Sequence, residues 1–421
     1  MSPLPFRLLP DSSSVVDGRL QIGGCDLLDL ADEYGTPLFV YDEAHLRARC
    51  REAVAVFGDG VAYATKAFLC AEMARLAHCE GMHLDVATGG ELHVALSSGV
   101  PADRLVMHGN NKSTAELTAA LEAGVGRIVV DSFDELDRLD DLHAALGVRP
   151  KVLLRLTPGI KAETHEFVAT GHDDTKFGFT VSTGAADAAI ERARASQSVD
   201  LVGVHAHIGS QVFALSSLER TVAVIAEAAA GYDLPELSVG GGLGVAYVTA
   251  ESAPTITQWG EAVISTCADL GVTARVLAEP GRSIVAAAAV TLYTVGTIKR
   301  IDGVRTYVSV DGGMSDNPRP VLYGSGYEAF VPRAVEADRP MTVSVVGKHC
   351  ESGDLLVRDA QVSADLEVGD ILATAVTGAY GHSMGSNYNK VLRPPVVFVA
   401  DGTSRLVVRR ETLEDLTRLD L

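Results

Sequence analysis

Val61-Ala62-Tyr63-Ala64-Thr65-Lys66-Ala67-Phe68 is a short β-prone run, Val61–Tyr63 at its heart, that ends near a lysine and passes directly into helical sequence. Seven runs of the same texture follow: Leu84–Val86, Leu105–Met107, Ile128–Val130, Val152–Leu156, Leu201–Ala206, Leu237–Val239 and Arg275–Ala278. Each precedes helix-like sequence. The first five begin about 21 to 24 residues apart, close to the shortest repeat a strand–helix unit allows. Eight parallel strands joined by crossover helices predict an α/β protein with a (β/α)8 barrel rather than an open sheet.

A barrel builds its active site on the rim formed by the C-terminal strand ends. Lys66, Asp85, His108 with Asn110, Asp131, Arg155, His207, Gly240-Gly241-Gly242 and Glu279 all fall at or just beyond such an end. One polar residue there is ordinary loop chemistry, whereas a polar or glycine residue at all eight ends predicts a binding rim. Lys66 leads the set because lysines are mostly exposed. A lysine held at a barrel mouth and partly desolvated loses its proton readily, and the neutral amine forms a Schiff base with an aldehyde.

Beyond about residue 290 the pattern shifts to short alternating runs broken by Gly, Asp and Pro: Arg305–Val310, Met341–Val346, Ile371–Ala375 and Val396–Val399. These predict a β-rich second domain, which the strand-like Leu38-Phe39-Val40 is expected to join. The expected division is a barrel over residues 42–290 and a β-rich domain from residues 1–41 and 291–421. A chain of 421 residues is long enough for two such cores.

A formal charge of −20 argues against nucleic acid or an anionic membrane as partner, so any anionic ligand needs a local site working against the global field. The longest near-apolar run, Ile284 to Val295, is shorter than the roughly 20 residues of a membrane span. Met1-Ser2-Pro3-Leu4-Pro5 lacks the charged and apolar regions of a signal peptide. Six scattered cysteines show neither metal-site nor disulfide spacing. A cytoplasmic protein without a metal is expected.

Gly240-Gly241-Gly242-Leu243-Gly244 follows the seventh run, and Glu279-Pro280-Gly281-Arg282 follows the eighth. Barrel phosphate sites commonly use these two loops, where glycines let backbone N–H groups approach the anion; a tight turn is the alternative. Glu279 suits a pyridine nitrogen, which a neighbouring carboxylate keeps protonated, or else a rim salt bridge with Arg282. His207, two residues beyond His205, is placed to stack on a planar ring or to serve as a rim histidine. In the second domain, Arg319 is a candidate carboxylate clamp. Cys350 stands beside Lys348 and His349, which would favour its thiolate and suit proton transfer, though a single cysteine is often only packing.

Taken in order, these segments are recognisable. The chain resembles the diaminopimelate decarboxylases, among the alanine-racemase-fold (fold type III, group IV) pyridoxal-phosphate decarboxylases. The resemblance runs nearly end to end. It is carried by Tyr63–Ala67, His108-Gly109-Asn110-Asn111-Lys112, His207-Ile208-Gly209-Ser210-Gln211, the triple-glycine loop and Glu279–Arg282. It continues through Asp311-Gly312-Gly313-Met314, the Arg319 segment, Cys350-Glu351-Ser352-Gly353-Asp354 and Gly378-Ala379-Tyr380. Phe68, where many relatives carry a small polar residue, is read as subgroup variation.

The resemblance implies pyridoxal 5'-phosphate as cofactor, held covalently by Lys66. His207 would stack on its ring, Glu279 would bond its pyridine nitrogen, Asp85 would contact the cofactor, and Ser210, Gly241, Gly242, Gly244, Gly281 and Arg282 would serve the phosphate side. Tyr380 would contact cofactor and substrate, and Arg282, Arg319, Tyr323 and Glu351 the substrate. Cys350 would protonate the product carbanion from across a homodimer. The implied reaction turns meso-2,6-diaminopimelate into L-lysine and CO2. The alternative is a sibling acting on ornithine, lysine, carboxynorspermidine or a secondary-metabolite precursor.

Overall fold

A computed structural model describes residues 6–159, 173–207 and 209–421; Ile208 and the Met1–Pro5 start lie outside the described residues. The chain forms two compact units. One comprises Arg49–Gly244 and Ala253–Ser283, the other Met1–Ala48, Val245–Ser252 and Ile284–Leu421.

The first unit is the barrel. Its strands are β1 (Ala62–Ala64), β2 (His83–Val86), β3 (Leu105–Met107), β4 (Arg127–Val130), β5 (Lys151–Thr157), β6 (Asp200–His205), β7 (Glu236–Ser238) and β8 (Arg275–Leu277). They pair in parallel in chain order from β1 to β8. A parallel bridge between Val61 and Ala278 closes the ring, with Ala62 N–H donating to Ala278 O at 2.9 Å and Ala278 N–H to Gly60 O at 3.0 Å. A two-residue strand, Phe179–Thr180, adds to β5.

Strands covered on both faces have no polar alternation to show. That is why β1, β2 and β3 are buried at every position. Val106, Val129, Leu153 and Leu277 fill the barrel interior. Three of the crossover helices begin on these side-chain caps: Ser113 with Glu116, and Thr255 with Gln258, form reciprocal capping boxes, and Ser132 caps its helix by accepting from Glu135 N.

The second unit is a mixed sheet around the 13-residue strand Ala289–Ile301. One path through it runs Leu355–Val362, Met341–Val346, Arg305–Val310, Ala289–Ile301, Leu38–Asp42, Val396–Ala400 and Thr403–Val408. Ile371–Ala375 also pairs with the central strand. Leu38–Asp42 lies antiparallel to Ala289–Leu292 and parallel to Val396–Val399.

The loop Val245–Ser252, inside the expected barrel range, belongs to this β-rich unit. Tyr247 packs edge-on against Tyr327 at 5.3 Å between centroids, and Thr249 donates from N and Oγ1 to Glu328 Oε1. Residues 42–48 likewise fall with the sheet, because Asp42 continues the strand that begins at Leu38.

Candidate active site

Lys66 sits in the single 3-10 turn Thr65–Ala67 that ends β1. Thr65 Oγ1 donates to Asp85 O at 2.6 Å, and Tyr63 Oη donates to Phe68 O at 2.6 Å, pinning the turn on both sides. From Val61 to Phe68 every residue is buried except Lys66, which is exposed. The turn therefore presents one amine from an otherwise sealed segment.

Glu279 follows β8, with its N–H donating to Gly240 O at 2.9 Å. Its carboxylate takes Ser238 Oγ at 2.6 Å on Oε1 and His205 Nε2 at 3.0 Å on Oε2. His108 Nε2 lies 3.8 Å from Glu279 Oε1 and 3.4 Å from Asp85 Oδ1. Burial alone would raise the Glu279 pKa. The two imidazoles and the hydrogen bonds from His205 and Ser238 outweigh it and hold the group well below the usual carboxylate range. Asp85 goes the other way: burial first, then the charge of Glu279, push it up to about 6. Two neighbouring carboxylates with divergent acidity mark a site built to hold or move protons.

Glu279 thus uses its carboxylate on His205 and Ser238, while Arg282 Nη2 donates to Ser210 Oγ at 3.1 Å. Of the two histidines at strand period, His205 is the one bound to Glu279. His207 accepts Gly241 N–H on Nδ1 at 3.1 Å, and burial, then the Lys66 charge, lower its pKa well below the histidine norm. A neutral His207 with an accepting Nδ1 carries its proton on Nε2.

The glycine loop is shaped by close approach. A Cβ on Gly241 would collide with Glu279 O, and Gly242, at φ +121°, would bring one within 2.7 Å of Gly209 O. Val212 and Leu243 bridge in parallel, with Val212 N–H to Gly242 O at 3.0 Å and Gly244 N–H to Val212 O at 2.9 Å. These glycines, Ser210 and Arg282 line a cradle rich in N–H donors and hydroxyl. Asp131 and Arg155, also on the rim, lie 3.9 Å apart, and Asp131 accepts Gly178 N–H at 2.7 Å.

In the β-rich unit, Arg319 opens the short helix Arg319–Tyr323 and is only 4% exposed. Its guanidinium lies 4.2 Å over the Tyr247 ring and 5.6 Å from that of Tyr327, and donates to Tyr327 Oη at 2.6 Å. No carboxylate among the described residues pairs with it. Tyr323, half-buried, closes the same helix, and Tyr380 is held at φ +61°. A bulky residue in that region costs energy, and such strain gathers at ligand sites.

Cys350 and Glu351 are exposed on a loop that Asp354 locks. Asp354 accepts Met314 N–H at 2.7 Å and His349 N–H at 2.9 Å, and His349 Nε2 meets Ser315 Oγ at 2.9 Å. Cys350 N–H donates to Asn389 Oδ1 at 3.0 Å. The Asp311–Met314 and Cys350–Asp354 motifs, far apart in sequence, are thereby one structural piece. Sequence reasoning did not single out His205 and Ser238, which hold Glu279 on the barrel rim, or, within the β-rich unit, Tyr247 and Tyr327, which hold Arg319. The only available signal was His205, at strand period with His207.

Residues 43–286 match the family described as pyridoxal-dependent decarboxylase, pyridoxal binding domain. Diaminopimelate decarboxylase of Mycobacterium tuberculosis (strain ATCC 25618 / H37Rv) is 47% identical, over 96% of this chain and 95% of its own. That of Bacillus subtilis (strain 168) is 45% identical over the same shares. The crystal structure of diaminopimelate decarboxylase from M. jannaschii in co-complex with L-lysine superposes with a TM-score of 0.90 at 34% identity, covering 98% of each chain. Barrel, rim lysine and paired acid groups are those of a pyridoxal-phosphate enzyme. The chain belongs to the diaminopimelate decarboxylase family of pyridoxal-dependent decarboxylases.

The rim fits that cofactor. Lys66 offers an exposed amine, the glycine cradle leaves no room for side chains where a phosphate needs backbone N–H groups, and Glu279 stays ionised and so suits a protonated ring nitrogen.

Proposed function

We propose that the chain decarboxylates meso-2,6-diaminopimelate to L-lysine and CO2, the last step of lysine biosynthesis. The observation that carries the reading is Arg319, a buried guanidinium with no carboxylate partner among the described residues. Leaving a buried charge unpaired is costly, and a substrate carboxylate relieves that cost. In diaminopimelate the unreactive end is itself an amino acid and offers one. Ornithine and lysine do not. Glu351 suits the ammonium of the same end. The names of the relatives and the L-lysine co-complex of the M. jannaschii enzyme agree with this product.

Bound pyridoxal 5'-phosphate supplies an electron sink for the pair left when CO2 departs. We assign Lys66 to its covalent attachment, and Ser210, Gly241, Gly242, Gly244, Gly281 and Arg282 to its phosphate. His207 would hold its ring, and Asp85 and Glu279 would set the charge beside its ring nitrogen. Tyr380, Tyr323, Arg282, Arg319 and Glu351 orient substrate. The Cys350 thiol, exposed and fixed through its backbone by Asn389, delivers the proton to the α-carbon.

We further propose a homodimer in which Cys350 serves the partner's site, as the family resemblance implies, and a cytoplasmic location. No described helix is long and apolar enough to cross a membrane, and none of the six cysteines is in a disulfide.

CO2 release from meso-diaminopimelate, L-lysine and L-ornithine tests the substrate, with Lys66→Ala as control. Turnover of diaminopimelate alone is expected, with Lys66→Ala losing both the visible cofactor absorbance and turnover. Turnover of ornithine or lysine in its place overturns the assignment. Sedimentation velocity checks the dimer.

A further inference from the structure

The His108-Gly109-Asn110-Asn111-Lys112 segment leads from β3 to a group the proposed chemistry does not use. Lys112 is 1% exposed, and so is Glu135, on the helix Phe133–Leu146 that follows β4. Lys112 Nζ donates to Glu135 Oε1 at 2.6 Å, Val129 O at 2.6 Å and Gly109 O at 2.7 Å. All three ammonium hydrogens are therefore engaged, so the head has one orientation. Glu135 Oε2 accepts Asp131 N–H at 3.0 Å. The pair ties together the exits of β3 and β4 through the backbone of Gly109, which directly follows His108, and of the rim residue Asp131.

A buried ion pair is weak evidence for stability, since well-packed apolar residues of similar volume often replace one without loss. What the pair supplies here is orientation. Gly109, whose carbonyl it grips, directly follows His108. The His108 ring is faced by Asp85 from β2, Glu279 from the end of β8, His205 from β6 at 5.2 Å between centroids, and the charge of Arg155 from β5. Asp85 and Glu279 raise the His108 pKa against its burial, and His108 in turn helps hold Glu279 ionised.

We propose that Lys112 and Glu135 are positioning residues that set His108 between Asp85 and Glu279. The inference rests on the assignment of Glu279 to the cofactor, but its first readout does not. In the apoprotein, the His108 imidazole resonance, assigned by its loss in His108→Gln, is titrated in wild type and in the paired apolar variant Lys112→Met with Glu135→Leu. The expected result is a variant that keeps its melting temperature within a few degrees, with the His108 midpoint lower and kcat/KM down at least tenfold. The acid limb of its pH profile should also move. An unchanged His108 titration overturns the proposal. Glu135→Gln, which keeps the shape of the site, provides the second test should the paired variant fail to fold. A smaller shift in the same direction supports the proposal, and none overturns it. A moved titration with unchanged turnover supports the positioning role and counts against the Glu279 assignment instead.

Discussion

His205 Nε2 and Glu279 Oε2 stand 3.0 Å apart, and the contact joins the end of β6 to the end of β8 across the barrel rim. Burial lowers the His205 pKa even against the pull of Glu279, so the pair is best described as a neutral imidazole donating to a carboxylate. The carboxylate keeps its charge for whatever cation lies on its open side. Glu279→Gln removes that charge while keeping shape and most hydrogen bonds. We expect the variant to retain the cofactor's visible absorbance and to lose about 100-fold in kcat, the size typical of deleting one preorganised electrostatic group. Steady-state CO2 release with an absorbance spectrum on the same sample checks both halves.

Arg319 allows a sharper division of labour. Tyr327→Phe keeps the ring and loses only the hydroxyl that receives the guanidinium at 2.6 Å. With about 1 kcal/mol at stake for such a bond, KM for diaminopimelate should rise roughly fivefold with kcat nearly unchanged. Arg319→Lys also loses the planar fork and the stacking on Tyr247, and KM should rise at least tenfold. A fall in kcat at constant KM in either variant would place these groups in the chemical step instead.

How much of this the sequence discloses depends on range. All eight barrel strands lie within about one residue of the expected runs, because a strand buried on both faces reads as an unbroken β-prone segment. The strand Ala289–Ile301 is harder to see, since its first half is buried and its second mostly exposed, so the pattern changes midway. Phe179–Thr180 is too short to carry a period. Lys66 and Glu279 are legible from local motifs. Ser238 is not, and His205 shows only as a strand-period neighbour of His207, because the atom each one serves is 41 and 74 residues away. Tyr247 has no local signal either: it meets Arg319 and Tyr327 only because the loop after β7 folds with the sheet.

Asp85 gives the apoprotein a pH signature. Its folded pKa of about 6 lies above the unfolded value near 4. Between those values the folded state binds more protons than the unfolded state, so stability falls as pH rises through that window. Asp85→Asn has no such loss. The stability of Asp85→Asn relative to wild type should therefore grow between pH 4 and pH 7, by on the order of 2 to 3 kcal/mol. Urea unfolding of both apoproteins at the two pH values measures it, and a difference that stays flat or shrinks contradicts the assignment.

The opposite end of the barrel should respond to mutation without touching turnover. Glu236, the first residue of β7, takes Arg127 Nε on Oε2 and Arg127 Nη2 on Oε1, each at 2.6 Å, and Arg275 Nη2 on Oε1 at 2.6 Å. Arg127 and Arg275 are the first residues of β4 and β8, so this cluster closes the N-terminal mouth, the face where barrels keep stability rather than chemistry. Glu236→Ala strands Arg127, whose side chain is 13% exposed, without its bidentate partner. Removing one member of a largely buried pair costs about 3 kcal/mol, which should lower the melting temperature by roughly 5 to 10 °C. Below the new transition, kcat and KM should match wild type, because no rim residue has moved. Loss of turnover at a temperature where circular dichroism still shows a native fold would show that the two ends of the barrel are coupled.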